Sequence, residues 1–429
     1  MPDLKSFELK PQASWNKDDW LSYMESVHPA EIEMGLGRVR QVAAQMDLVR
    51  PAKTVILVGG TNGKGTTTAL LKNLLAQQGK SSGLYNSPHI HQYNERVNVC
   101  LDGESRLISD EELIASFQAI EAGRGDIPLT YFEFGTLSAL WQIKQWQVDV
   151  AIMEIGLGGR LDACNIVEPD LSIVTSVGLD HQDWLGDTLD LIGAEKAGIG
   201  RKNKPLVCGQ LNVSQGFIDA AESIGADISY QGKDFSIQKT DSGLVFENKV
   251  LSLTFDQYHI PYWNIASAIQ GLSLLGELPA AEEIKNTVDT TQVEGRLSCQ
   301  KINFHGKQLK VVLDVGHNPQ AATYVAEQVK DSCEHCVLAM LSDKNPAGVV
   351  ESLPFINHWA LAGIEGFRGQ TAAELKDKLP KACSSEAELF ETVAQALQSQ
   401  CKAAGDGETI LVLGSFLTIN EAKIWLGNL

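Results

Sequence analysis

An apolar run at residues 54–58, Thr-Val-Ile-Leu-Val, enters Gly59-Gly60-Thr61-Asn62-Gly63-Lys64-Gly65-Thr66-Thr67 and then a helical pattern over residues 66–78. A strand, a tight glycine turn and a helix in that order form a phosphate cradle, and that narrows the architecture to an α/β one. Glycines let the backbone approach phosphate oxygens, the new helix offers N–H groups with no intrahelical partner, and Lys64 adds a point charge. Thr61, Asn62, Gly63, Lys64, Gly65 and Thr66 are therefore the expected nucleotide-phosphate stretch. The spacing is not the common Walker one. Gly65 stands where Ser or Thr would ligate magnesium, which leaves Thr66 or Thr67 for that task. The alternative, a glycine-rich turn before an ordinary helix, needs all these parts to coincide by chance.

The same alternation continues along the chain. Apolar runs at residues 148–155, 171–177 and 205–208 each end at a glycine, and helical patterns at 110–121 and 136–146 stand among them. This predicts a mostly parallel sheet covered by helices, with ligands at the carboxyl ends of the strands. The pattern loosens over residues 213–257, where polar–apolar alternation at 243–255 suggests a small antiparallel excursion. It resumes with strand candidates at 309–315, 336–341, 359–364 and 409–413 and helices at 319–330, 371–378 and 385–398. A chain of 429 residues is longer than one core usually serves, so two α/β units are expected, divided near Val293-Glu294-Gly295-Arg296.

Polar residues collect at two further strand ends. Glu154 closes the run at 148–153, and Gly178-Leu179-Asp180-His181-Gln182-Asp183-Trp184 follows the run at 171–177. A carboxylate at a strand's carboxyl end beside a phosphate loop is where a magnesium ligand would sit. Beside it, His181 reads as a ligand rather than a loop cap. The formal net charge of −19 argues against nucleic-acid binding and requires a locally basic site for an anionic nucleotide. Eight scattered cysteines, some in apolar runs such as Leu206-Val207-Cys208, suit reduced buried thiols, and Cys333-Glu334-His335-Cys336 lacks the second pair a zinc site would want. Residues 1–10 do not read as a signal peptide and no segment approaches a membrane span, so the expected location is the cytoplasm, with no membrane partner.

Taken together these residues resemble the folylpolyglutamate synthases and dihydrofolate synthases, within the wider group of ATP-dependent Mur-type ligases. The most specific pieces are the loop with Gly65, Ser87-Pro88-His89 followed by Glu95-Arg96-Val97, and Tyr131-Phe132-Glu133-Phe134-Gly135. To these are added the run 154–165, Glu195-Lys196-Ala197-Gly198-Ile199, and Asp314-Val315-Gly316-His317-Asn318-Pro319. The resemblance implies a P-loop NTPase-like ATP-binding domain over 1–295, with a mostly parallel sheet, and a Rossmann-like glutamate-ligase domain over 296–429. It implies ATP contacts from Asn264, Arg296 and Asp314, magnesium, two ions in all, held by Ser87, Glu154 and His181, and a carbamylated Lys196; a monovalent cation is compatible with it. His317 and Ser415 match positions near the incoming glutamate. Pterin recognition falls on Ile32-Glu33-Met34, Thr130-Tyr131-Phe132-Glu133 and Leu161-Asp162-Ala163. From the residues alone, Tyr131, Phe132 and Phe134 could equally be core aromatics, and Asp162 could pair with Arg160. Departures from the family pattern include Leu297 for Phe and Gly316 for Ala.

The chemistry so implied is amide formation. A carboxylate attacks the γ-phosphate of ATP, and the amine of L-glutamate displaces phosphate from the resulting acyl phosphate, with Lys64, Lys196 and His317 as catalytic candidates. The favoured expectation is a bifunctional enzyme, acting on dihydropteroate and on reduced folates, and working as a monomer. The nearest alternative is polyglutamylation alone. A cell-wall ligase is disfavoured by the roughly fifty residues before the loop, and a nucleotide-sensing module by the presence of Glu154, His181, Lys196 and His317 together.

Overall fold

The computed structural model describes residues 11–12, 14–28, 33–241, 243–366 and 368–429. The leader reading at residues 1–10 and the substrate candidate Ile32 lie outside the described residues. Strands β1 (Thr54–Gly59), β2 (Ser82–Tyr85), β3 (Val97–Leu101), β4 (Glu104–Leu107), β5 (Val150–Glu154), β6 (Leu171–Val174), β7 (Pro205–Cys208) and β8 (Asp227–Tyr230) form one sheet. Their order is β4-β3-β2-β5-β1-β6-β7-β8, parallel from β2 to β8, with β3 and β4 added antiparallel at one edge.

β1 is central, which explains its unbroken apolar sequence. Val55 and Leu57 enter a core with Phe117, Phe134 and Leu137, while Ile56 and Val58 enter the opposite core with Leu70, Leu74, Ile265 and Ile269. A strand covered by helices on both faces has no polar side to alternate with. The register pairs Val58 with Glu154 and Gly59 with Val174, so the glycine loop, Glu154 and the end of β6 share one rim. The chain turns to opposite sides of β1 at this point, the position where parallel sheets bind ligands.

The helix Lys64–Gln77 leaves that rim and packs beside Tyr262–Leu275, and Asp110–Arg124 and Tyr131–Trp146 lie on the other face. The latter starts five residues before the expected 136 because Thr130 and Glu133 close a capping box at its N-terminus. The loosened stretch still supplies helix Gln215–Ile224 and β8 to the first sheet. The antiparallel excursion follows as β9 (Phe235–Thr240), β10 (Gly243–Asn248) and β11 (Ser252–Phe255).

A second sheet holds β12 (Ser298–Phe304), β13 (Lys307–Asp314), β14 (Cys333–Leu338), β15 (His358–Ala362), β16 (Glu388–Phe390) and β17 (Thr409–Leu413) in the order β12-β13-β17-β14-β15-β16. All its pairings are parallel except β12 with β13. The helix expected over 385–398 is not formed as one element. Residues 388–390 pair with β15 as an edge strand, and the helix Val393–Ala403 begins only after Thr392 caps it by accepting from the Gln395 amide. Sheet pairing overrides the helix-favouring Ser-Glu-Ala-Glu sequence there. No helix among the described residues is long and apolar enough to cross a membrane.

Candidate active site

The phosphate loop is pinned to the end of β6. Thr61 N–H donates to Ser176 O (2.9 Å), Asn62 N–H donates to Ser176 Oγ (2.9 Å), and Thr61 Oγ1 accepts from Gly178 N–H (2.9 Å). Two of its glycines are required sterically. Gly60 has φ +142°, and a Cβ there would lie 2.0 Å from Thr175 Oγ1; Gly63 has φ +86°, and a Cβ there would lie 2.3 Å from Asn264 Oδ1. Lys64 folds its ammonium back onto Gly60 O (3.0 Å) and Thr61 O (3.3 Å), and burial pushes its pKa down against the pull of Glu154 and Asp180. Thr67 Oγ1 and both amide atoms of Asn264 are buried without a hydrogen-bond partner. Each such group costs about 1–3 kcal/mol, which points to a ligand that satisfies it. Asn62, Gly63, Thr66, Asn264, Arg296 and Asp314 line one cavity beside them.

Gly65 gains a reason here. A Cβ at this position would point at Glu154 Oε2 from 3.7 Å, so the missing side chain keeps the space between helix start and carboxylate open. Glu154 accepts the Ser87 amide (3.4 Å), and burial lifts its carboxyl to about 7 although Lys64 and Arg296 pull it down. A bound cation would restore the carboxylate. Burial also lowers His181 to about 4, which leaves a neutral ring; its Nε2 stands 3.4 Å from Lys344 Nζ. Among the described residues no group of three His, Cys, Asp or Glu is close enough to hold a metal unaided. The hard oxygen of Glu154, the Ser87 hydroxyl and phosphate oxygens nevertheless fit magnesium, which retains water and shares substrate oxygens. Lys196 is 3% exposed and its side chain makes no hydrogen bond among the described residues; burial, then the charge of Lys64, push its pKa to about 7.

The second sheet brings its own rim to the first. Asp314 accepts from Leu297 N–H (2.9 Å) and Gly316 N–H (2.7 Å), fixing the turn that carries Arg296. A Cβ on Gly316 would stand 2.8 Å from Asp314 Oδ1. Asn62 and Asn318 exchange amide hydrogen bonds across the junction (3.1 and 2.9 Å). Asp180 meets Lys344 Nζ at 2.9 Å and His317 Nε2 at 3.4 Å, while His317 Nδ1 lies 2.9 Å from Val315 O. Burial alone would raise the Asp180 carboxyl; the hydrogen bond and charge of His317, with His181 and Lys344, hold it well below the usual range.

A cleft of about 590 Å³ runs from this junction between the two sheets, within the range that houses small-molecule ligands. Glu33, Met34, Thr130, Tyr131, Phe132, Glu133, Leu161, Asp162 and Ala163 line one side, and His317, Lys344 and Ser415 the other. Phe134 belongs to the core instead, fully buried. Phe132 reaches the cleft because Gly156 leaves room: a Cβ there would lie 2.5 Å from Phe132 Cζ. Glu133 takes Thr130 N–H and Arg38 Nε (both 2.8 Å) on one oxygen, and its other oxygen is buried without a partner. Asp162 does not pair with Arg160, which binds Glu195 (2.6 Å); it accepts from the amides of Leu157 and Cys164 (2.8 and 2.9 Å), and burial raises its carboxyl to about 6. Ser415 caps the helix Phe416–Leu426 through Thr418 N–H (3.0 Å). Sequence reasoning missed Ser176, Lys344 and the role of Asp180 as the bridge; the only signal was that Asp180 precedes His181.

The Mur ligase middle domain family matches residues 58–277, and the Mur ligase, glutamate ligase domain family matches residues 295–416. The chain is 39% identical over 421 residues to the dihydrofolate synthase/folylpolyglutamate synthase of Escherichia coli strain K12, covering 95% of each protein. Among solved structures, E. coli FolC in complex with DHPP and ADP is similar with a TM-score of 0.91 and 38% identity, covering 98% of this chain and 99% of that one. The bifunctional folylpolyglutamate synthase/dihydrofolate synthase of Yersinia pestis complexed with AMPPNP and Mn ion gives a TM-score of 0.89 at 38% identity, covering 97% of this chain and all (100%) of that one.

Proposed function

The chain belongs to the dihydrofolate synthase/folylpolyglutamate synthase family of Mur ligases, and on that premise we propose that it joins L-glutamate to dihydropteroate, giving dihydrofolate, and to tetrahydrofolate-type folates, extending their glutamate tail. The observation that carries this reading is the shared junction. A phosphate loop with partnerless Asn264 and Thr67 faces Arg296 and Asp314, and one cleft joins Tyr131 and Phe132 to His317 and Ser415.

A carboxylate oxygen leaves poorly, so the acceptor's carboxylate first attacks the γ-phosphate of ATP to form an acyl phosphate, and the glutamate amine then displaces phosphate. Lys64 and Arg296 stabilise charge on the transferring phosphoryl group. Ser87, Glu154 and His181, with Thr66 beside the phosphates, would hold magnesium, which supplies charge neutralisation on the phosphate oxygens. The neutral amine favoured at Lys196 supports its carbamylation, and a monovalent cation rests on the resemblance alone. His317 and Ser415 receive the incoming glutamate, His317 being held between Val315 O and the Asp180 carboxylate. The cleft excludes water that would hydrolyse the intermediate.

We divide the chain into an ATP-binding domain, 1–295, and a glutamate-ligase domain, 296–429, working as a monomer, since one chain carries both rims. A cytoplasmic location agrees with eight unpaired cysteines, six of them buried. The test is a substrate panel with purified protein, ATP, magnesium and L-glutamate. Phosphate release is expected with dihydropteroate and with a reduced folate. Release with the folate alone would remove the dihydrofolate synthase half, and release with neither would remove the ligase reading.

A further inference from the structure

Most arginines of the described chain have a carboxylate partner: Arg38, Arg50, Arg106, Arg124, Arg160, Arg201 and Arg368 all do. Arg40 is exposed to solvent. Two half-buried arginines remain, and both line ligand cavities. Arg296 lines the nucleotide side, and Arg96 lines the large cleft.

Arg96 is held in place without being neutralised. Its Nε donates to His89 Nδ1 (2.9 Å), and its guanidinium lies over the rings of Tyr93 (5.0 Å) and Tyr131 (5.7 Å). No carboxylate pairs with it among the described residues, and the Tyr85 hydroxyl, which stands close to its guanidinium, makes no well-formed hydrogen bond with it. Nearby, the buried hydroxyls of Tyr85 and Tyr93 also lack partners. Gly135 makes room for them, since a Cβ there would lie 2.3 Å from Tyr93 Oη and 3.4 Å from Tyr85 Oη. A rigid fork of unused donors beside an open cleft is suited to bidentate binding of a carboxylate.

Which carboxylate follows from counting. Dihydropteroate carries one, and that one reacts. The cations that act on Glu154, at the reacting end, are Lys64 and Arg296; the groups that act on Arg96 are the three tyrosines. A folate whose γ-carboxylate occupies the reacting position brings a second carboxylate, the α-carboxylate of its glutamyl end, into the cleft. Resting on the bifunctional reading above, we propose that Arg96 is the acceptor-specificity residue: it receives that α-carboxylate, which dihydropteroate lacks.

The experiment compares the native protein with R96Q and R96K on dihydropteroate, on a tetrahydrofolate, and on the tetrahydrofolate α-carboxamide. R96Q should raise KM for the tetrahydrofolate by about ten- to a hundredfold, the worth of a charge-assisted hydrogen bond, and by at least about tenfold more than for dihydropteroate. R96K should fall between, because an ammonium lacks the fork. The α-carboxamide should be a poor substrate for the native protein, and R96Q should no longer distinguish it from the free acid. Equal losses on both acceptors, or undiminished discrimination against the α-carboxamide by R96Q, would overturn the proposal. A native protein inactive on dihydropteroate would remove only that half of the function, and the α-carboxamide comparison would still decide the role of Arg96. If R96Q does not fold, R96K decides by the same comparison.

Discussion

Replacing Lys196 with alanine tests the most unusual group in the site. Carbon dioxide reacts only with an unprotonated amine, and an ordinary lysine near pKa 10.4 offers one in roughly a thousand molecules at pH 7.5. With its pKa pushed to about 7 by burial and Lys64, Lys196 is unprotonated in roughly three molecules of four at that pH, a several-hundredfold enrichment. The folded pKa lies below the unfolded one, so burying the ammonium destabilises the fold. That cost is full below pH 7, on the order of 5 kcal/mol, and fades as the pH rises to 10.5. An anionic carbamate removes the repulsion from Lys64. At a fixed concentration of dissolved CO2, the amine fraction falls from about nine-tenths at pH 8 to about one-tenth at pH 6, so reactivation of CO2-depleted protein should slow about tenfold between them. The assay is glutamate-dependent phosphate release in depleted buffer with and without bicarbonate, together with 13C NMR after labelling with 13C-bicarbonate. Lys196→Ala should be severely impaired, lack the carbonyl resonance, and be partly rescued by short carboxylic acids. No labelled resonance in the native protein, or unaltered turnover in the variant, would refute the reasoning.

Lys64→Ala should lower ATP turnover by more than about a hundredfold, the scale seen when one preorganised donor is removed, without loss of folded protein by circular dichroism; near-normal turnover would dismiss the phosphate loop. Gly156→Ala drives a methyl group to within 2.5 Å of Phe132 Cζ, so the KM for a pterin-bearing acceptor should rise about tenfold while that for ATP stays put. Lys344→Met leaves Asp180, 10% exposed at its side chain, with one cation fewer, and should reduce kcat and raise the KM for glutamate. The double variant with Asp180→Asn should lose less than the sum of the two single losses, and additive losses would separate the residues.

The strands were readable wherever burial on both faces forced an unbroken apolar run: residues 54–58 and 205–208 became β1 and β7 with one residue's adjustment at most. What was not readable was set by neighbours. β16 is three residues long, two of them exposed, and exists because β15 offers it an edge. Its sequence carries a helical bias that only the partner strand overrules. β8 was hidden for a similar reason, since Asp-Ile-Ser-Tyr at 227–230 is too short an alternation to read as a strand and depends on β7 for its pairing.

The site divides along the same line. Lys64 and Glu154 announce themselves because one follows β1 through a glycine loop and the other ends β5, and strand ends in a parallel sheet share a rim wherever the order of pairing puts them. Asp180, Lys344 and Arg96 carry no such mark. Asp180 becomes a hub only because Lys344 and His317 arrive from the second sheet, 164 residues away in the case of Lys344. Arg96 is distinguished by the absence of a carboxylate that most of its counterparts possess, and an absent partner has no spacing to read. A cleft built between two sheets therefore hides from sequence the residues that choose its substrate, while showing those that bind phosphate. Phosphate binding needs one local turn, whereas choosing between acceptors of different length needs charges fixed at a distance from it. The test of Arg96 must be made on the whole chain, because His317 and Ser415 line the same cleft from the second sheet's side.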